Sequence, residues 1–168
     1  MNIVDKVFAA VYQKDIATLE LISKQHGSLG EFLDQDGRDA LMHAVLAEEP
    51  SIEVIEFLLR HGVAVNRADA GQGWTALHFA VQAGNIGIIR LLLESGADPD
   101  LQDGFGNSPL WRAVYCVEDD EELIGLLVSN GADIDLQNHS GVSPIALAKT
   151  RGREDIVDLL YRCQALET

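Results

Sequence analysis

The chain has 168 residues, of which 47% are hydrophobic and four are proline, and a net charge of −15. That is enough for one domain with a sizeable core and too apolar for a disordered acidic chain. The acidity is confined to residues 31–140, where 20 acids face five arginines; three lysines balance three acids in residues 1–30, and four basic residues balance four acids in 141–168. An acidic centre repels phosphate backbones, so nucleic acid is excluded as the expected partner. Two cysteines without C-x-x-C spacing exclude a disulfide framework and read as reduced thiols. No apolar run is long enough for a signal-peptide core or a membrane span, and a cytoplasmic location is expected.

In chain order, "FAAVYQKDIATLELIS" near the N-terminus carries two apolar helical runs joined by a polar turn. Four similar units follow, opening with "GRDALMHAV" at Gly37, "GWTALHFAV" at Gly73, "GNSPLWRAV" at Gly106 and "GVSPIALAK" at Gly141. Each continues into a second apolar run, "IEVIEFLLRHG", "IGIIRLLLESG", "EELIGLLVSNG" or "EDIVDLLYRC". Asp39, Thr75, Ser108 and Ser143 are all of types that cap helix N–H groups, each cap being worth about 1 kcal/mol. Ala40, Ala76, Pro109 and Pro144 follow, and proline suits the first helical position. Leu41, Leu77, Leu110 and Ile145 are expected to face inward, with Ala44, Ala80, Ala113 and Ala148 allowing close helix approach. The second run is nearly all aliphatic and must be buried on most sides. Gly62, Gly96 and Gly131 supply the left-handed residue that ends it.

Period and residues together resemble the ankyrin repeat, with Thr75-Ala76-Leu77-His78 standing for its Thr-Pro-Leu-His signature and Ser108-Pro109-Leu110-Trp111 and Ser143-Pro144-Ile145-Ala146 as weaker copies. The resemblance implies an all-α solenoid of stacked helix-turn-helix units with short β-hairpin loops. We expect a single domain over 1–168, with an N-terminal capping repeat at 1–33, central repeats at 34–69, 70–102 and 103–137, and a C-terminal capping repeat at 138–168. The resemblance also implies a structural hydrogen bond between loop and helix for His78.

The second and fourth units each carry two extra residues between their helices, in "AEEPS" and "VEDDEE", and both lack the glycine found at Gly84 and Gly152. A solvated turn with acids favouring the helix N-terminus explains the run Glu118 to Glu122 as well as a binding role does. Two acidic turns standing about 20 Å apart on one rim would nevertheless draw a basic protein surface and speed its capture at low salt. A metal site is the weaker reading, because neighbouring side chains point in different directions and cannot all converge on one ion. "DPDLQDGFG" (98–106) also fails as a calcium loop, with Gln102 where an acid is needed and Gly104 one residue late.

No catalytic constellation emerges. No histidine pair has metal-ligand spacing. His61 sits near a helix C-terminus, where it favours the dipole. Cys116 has no adjacent cationic activator and reads as an ordinary thiol, and no phosphate-cradling loop or cofactor motif is present.

The resemblance implies that partners bind on the concave face formed by hairpin tips and first helices. Along those helices Tyr12, Leu46, Gln82, Tyr115 and Thr150 form one column. Trp74 precedes its cap residue and is expected to be exposed; for Trp111, which replaces the signature histidine, packing between repeats and exposure are equally open, and Phe105 at a hairpin tip has the same two readings. The expected partner-binding set is Arg38, Leu46, Trp74, Gln82, Phe105, Asn107, Trp111, Tyr115, Glu118, Asp119 and Asp120, with no catalytic or metal-binding residue. The expectation is a non-catalytic module, monomeric when free, that holds and inhibits a basic protein, with an immunity protein neutralising a toxin as one form by analogy. The alternatives are an adaptor linking two proteins and, least favoured, a metal-dependent enzyme built on Glu118 to Glu122.

Overall fold

Ten α-helices form among the residues that the computed structural model describes, 2–116 and 121–165. They pair as α1 (Ile3–Tyr12) with α2 (Ile16–His26), α3 (Ala40–Leu46) with α4 (Ile52–Arg60), α5 (Ala76–Gln82) with α6 (Ile86–Glu94), α7 (Pro109–Cys116) with α8 (Glu121–Val128), and α9 (Pro144–Thr150) with α10 (Glu154–Ala165). The first helices α1, α3, α5, α7 and α9 pack in one row, and α6, α8 and α10 pack beside one another in a second layer. A 3-10 turn at Leu29–Glu31 leads out of the first pair.

The local chemistry that starts each first helix is the expected one. Asp39, Thr75 and Ser143 accept from the amides of Met42, His78 and Ala146, and Ser108 accepts from Trp111. Thr75 and His78 close a full capping box. Leu41, Leu77, Leu110 and Ile145 are buried, as are the four alanines three residues on. The alanines matter because the facing first helix of the next repeat approaches across them; any larger side chain would overpack that contact.

Short helices of seven to nine residues are marginal alone in water. Their stability comes from burial between neighbours, with Ile55, Leu58, Ile88, Ile89, Leu92, Leu123, Ile124 and Leu127 nearly sealed from solvent. At about 25 cal/mol per Å² of apolar area removed from water, this shared layer is the dominant favourable term.

The hairpin loops connect successive repeats with few strand-type contacts: a single isolated antiparallel bridge, Ala68 with Thr75, is formed among the described residues. What holds each tip is a carboxylate or amide side chain at its base. Asp34, Asp103 and Asn138 each use one oxygen to accept two backbone N–H groups, at residues two and four further on. Asp69 does the same at Gln72 and Trp74, three and five residues on, so this tip is one residue longer. Successive tips are then stapled by backbone bonds, Ala70 N–H to Asp36, Gly104 N–H to Gln72 and His139 N–H to Phe105. Gly106 is required here: its φ is +80°, and a Cβ would lie 2.6 Å from the His139 amide nitrogen.

Between helices of a pair, Gly84 and Gly152 take positive φ as the three-residue turns demand, and Lys14 adopts φ +57° in the corresponding place in the first repeat. The α3–α4 turn is longer, and its Glu49 reaches back to Lys14 at 3.3 Å. One acid of this insertion is thus paired within the chain, through a bond exposed enough to contribute a few tenths of a kcal/mol. Of the second acidic insertion, Glu118, Asp119 and Asp120 fall outside the described residues, whereas Glu121 and Glu122 open α8 and Glu122 lies 3.6 Å from Arg90.

Candidate functional site

The face built by hairpin tips and first helices carries three registers of side chains. At the C-terminal end of the first helices stand Tyr12, Leu46, Gln82, Tyr115 and Thr150, all exposed. Tyr12 is 50% exposed, Leu46 43% and Tyr115 49%, large apolar surface that a core residue would not show. One turn earlier come Phe8, His43, Phe79, Arg112 and Leu147. At the tips stand Arg38, Trp74, Asn107 and Val142, each just after a tip glycine.

The middle register explains a correction. Trp74 was expected to be exposed, and it is only 8% exposed. Its ring lies against Phe79 at 5.0 Å, and from the next repeat the Arg112 guanidinium sits 4.0 Å over its centre. Arg112 is itself held by Asp103 at 3.1 and 2.7 Å, the carboxylate at the base of the following tip. The arginine therefore spans two repeats and covers the indole as it goes, a cation–π contact worth about 0.5–2 kcal/mol. Burial by itself would raise the Asp103 carboxyl, but the Arg112 bonds and the amides of Asn107 and Phe105 hold it below the usual carboxylate range.

Arg38 does similar work one repeat earlier, lying 5.4 Å from the Phe79 ring centre and 3.5 Å from the fully buried Asp69 carboxylate. Asn107 is buried. Its carbonyl accepts from His78 Nε2–H at 3.2 Å, the loop-to-helix bond implied for that histidine, and its side-chain oxygen accepts from Asn138. His78 is held below its ordinary pKa by burial.

At the N-terminal end, Asp34 accepts from His43 Nε2–H at 3.0 Å. Since Nε2 carries the proton, Nδ1 is an acceptor, and the Tyr12 hydroxyl donates to it at 2.6 Å. Burial keeps the His43 pKa low and the Tyr12 pKa high. The phenol thus presents only lone pairs to the groove.

At the C-terminal end the two open readings resolve. Phe105 is 65% exposed on its tip. Trp111 is half-buried and stacks on Tyr115 with centroids 5.2 Å apart. Arg151 covers the tyrosine ring at 4.3 Å and donates to the Tyr115 carbonyl at 2.8 Å. Gln82 meets Cys116, whose thiol donates to its Oε1 at 3.5 Å. Among the described residues no three His, Cys, Asp or Glu side chains converge to hold a metal ion, and no helix is long and apolar enough to cross a membrane.

The expected binding residues thus divide. Leu46, Gln82, Phe105 and Tyr115 are exposed on one face, Trp111 and Arg38 are partly covered, and Trp74 and Asn107 are largely spent inside the stack. Arg112, Arg151, Val142 and Leu147 were missed in the sequence. A comparison of registers would have found them, because Leu147 stands where Arg112 does and Asn138 where Asp103 does.

A row of capped helix pairs with an open, partly aromatic face defines a repeat-built binding scaffold. The chain belongs to the ankyrin-repeat family: a model of ankyrin repeats in three copies matches residues 7–103, and a single ankyrin-repeat model matches 105–139. Neither is an enzyme family, and ankyrin repeats are protein-binding modules. Among curated proteins it is similar to inversin from Gallus gallus, 37% identical over 109 residues, covering 65% of this chain and 10% of that protein. It is also similar to potassium channel AKT1 from Oryza sativa, 41% identical over 88 residues, 52% of this chain and 9% of the channel. Human ankyrin repeat domain-containing protein 63 is 37% identical over 84 residues, 49% of this chain and 22% of that protein. The match therefore spans between about a tenth and a fifth of these relatives' own length.

Proposed function

We propose that this chain is a non-catalytic module that holds a protein with a basic surface against its concave face and inhibits it by occlusion. The observation that carries the reading is the exposed strip Tyr12, Leu46, Tyr115 and Phe105, aromatic and aliphatic side chains left unburied along the face of hairpin tips and first helices. The placement of charge supports a basic partner, since all 15 net negative charges come from residues 31–140. Long-range attraction of this kind raises the association rate and is screened by salt. An immunity protein that masks a toxin would fit this chemistry.

Affinity capture from the native host, with wild-type protein and a Tyr115→Ala, Leu46→Lys variant as paired baits, tests the proposal. The expected result is one predominant basic protein on the wild type, lost from the variant, whose own activity falls on stoichiometric addition and whose association slows as salt rises. An acidic partner, or one retained by the variant, overturns it.

A second reading has one observation in its favour. Leu21 on α2 and Ile52 on α4 are also exposed, 56% and 43%, in the second helix layer. An adaptor would use both faces, and a ternary complex that survives Tyr115→Ala on one side only is its signature.

A further inference from the structure

The notch between the fourth and fifth repeats differs from the two before it. In those, an arginine of the chain lies on an aromatic ring and answers a buried tip carboxylate: Arg38 with Phe79 and Asp69, then Arg112 with Trp74 and Asp103. In the last notch both members of that ion pair are replaced at once. Asn138 holds the tip in place of an aspartate, Leu147 takes the register of Arg112, and Asn107, bonded to Asn138, takes that of Arg38. What remains is an open cleft of about 490 Å³ between Phe105 and Trp111, floored by Val142 and Leu147 and edged by Asn138 and His139. No acidic or permanently cationic side chain lines it. The three cations adjacent in sequence to its lining are already engaged, Arg112 with Asp103, Arg151 on Tyr115 and Lys149 on the Tyr161 hydroxyl at 3.0 Å.

We propose that this notch is an anchor pocket for one uncharged apolar side chain, leucine, methionine or phenylalanine, of a partner polypeptide whose lysines and arginines flank that anchor on the side of the central repeats. The inference rests on the basic-partner reading above and adds where the partner is gripped and by what. A cation in the cleft would lose hydration with no carboxylate to answer it, whereas an aliphatic side chain would remove the outlying Phe105 ring from water. Charge complementarity sets the direction: the acids lie in residues 31–140, and the last unit is neutral with Lys149 and Arg151 beside the notch. A basic segment therefore runs from the anchor toward the earlier repeats.

The test pans a displayed random dodecapeptide library on the intact chain, then measures synthesised winners by fluorescence polarisation against wild type, Phe105→Ala, Leu147→Lys and, as a remote control, Gln25→Ala at an exposed position on α2. The expected winners carry one apolar residue beside two or more lysines or arginines. Their affinity should fall at least tenfold in both pocket variants and stay within twofold in the control. Phe105 is solvent-exposed, so its truncation leaves the fold intact even where Leu147→Lys does not. Basic winners indifferent to Phe105→Ala overturn the pocket and leave the basic-partner reading standing. Winners that need Phe105 but lack basic residues overturn the inference together with that reading. A library that yields no binder overturns the anchor pocket alone, and host capture then decides the broader function independently.

Discussion

Replacing Arg112 by leucine should destabilise the chain far more than its surface position suggests. The Asp103 side chain is 0% exposed and Arg112 14% exposed, and the two share bonds of 3.1 and 2.7 Å. Removing the guanidinium leaves one carboxylate oxygen buried with no donor, while the other still accepts from Phe105 and Asn107 at 2.9 Å. Breaking a buried pair in this way costs about 3–5 kcal/mol, and the lost cover over Trp74 adds to it. The double variant Asp103→Asn, Arg112→Leu should recover most of the loss. It recreates the oxygen side of the Asn138 and Leu147 arrangement, where the amide oxygen holds the same turn through bonds of 3.0 Å; the amide nitrogen, which Asn138 gives to Asn107, faces Trp74 here and accounts for the residual loss. We expect the double to lie within about 2 kcal/mol of wild type and the cycle to show a coupling of about 2 kcal/mol or more. Urea unfolding followed by circular dichroism measures all four proteins. If Arg112→Leu costs less than about 1 kcal/mol, or the double loses the full sum of the singles, the account of the buried pair is wrong.

Two further outcomes follow from backbone and titration. Gly106→Ala should cost distinctly more than Gly62→Ala: both have positive φ, +80° and +77°, and so share about 1–2 kcal/mol of strain, but the added methyl meets the His139 amide only at Gly106. Parallel thermal melts of the two variants compare them directly, and equal losses would refute the close approach. His43 and His78 both have folded pKa values lowered by burial, so above about pH 6.5 neither state binds a proton and stability is flat. Below that the unfolded chain is protonated first, and stability should fall as pH drops through each folded pKa. NMR titration of the two imidazoles should find midpoints below 6.5, and urea unfolding at pH 5.5 should give lower stability than at pH 7.5. A midpoint above 6.5 for His78 would contradict its burial.

The cap residues, Leu41 and its counterparts, the alanines and the helix-ending glycines were legible in the chain because each acts within its own repeat, a few residues from the group it serves. The same locality makes the unit recognisable by its recurrence. The burial of Trp74 was not legible: Phe79 lies against its ring from within the repeat, but the guanidinium over it comes from Arg112, 38 residues later, positioned by a carboxylate on yet another loop. For the same reason Tyr12 cannot be known as an acceptor until His43 and Asp34 are seen with it.

By itself the sequence determined that the chain is a stack of capped helix pairs, because period, turn chemistry and apolar pattern all operate over distances shorter than one repeat. Only the tertiary structure decided which aromatic rings on the shared face are covered by the chain's own arginines and which stay open. Those contacts cross from one repeat to the next, and stacking geometry settles whether a side chain finds its cover there or remains in water.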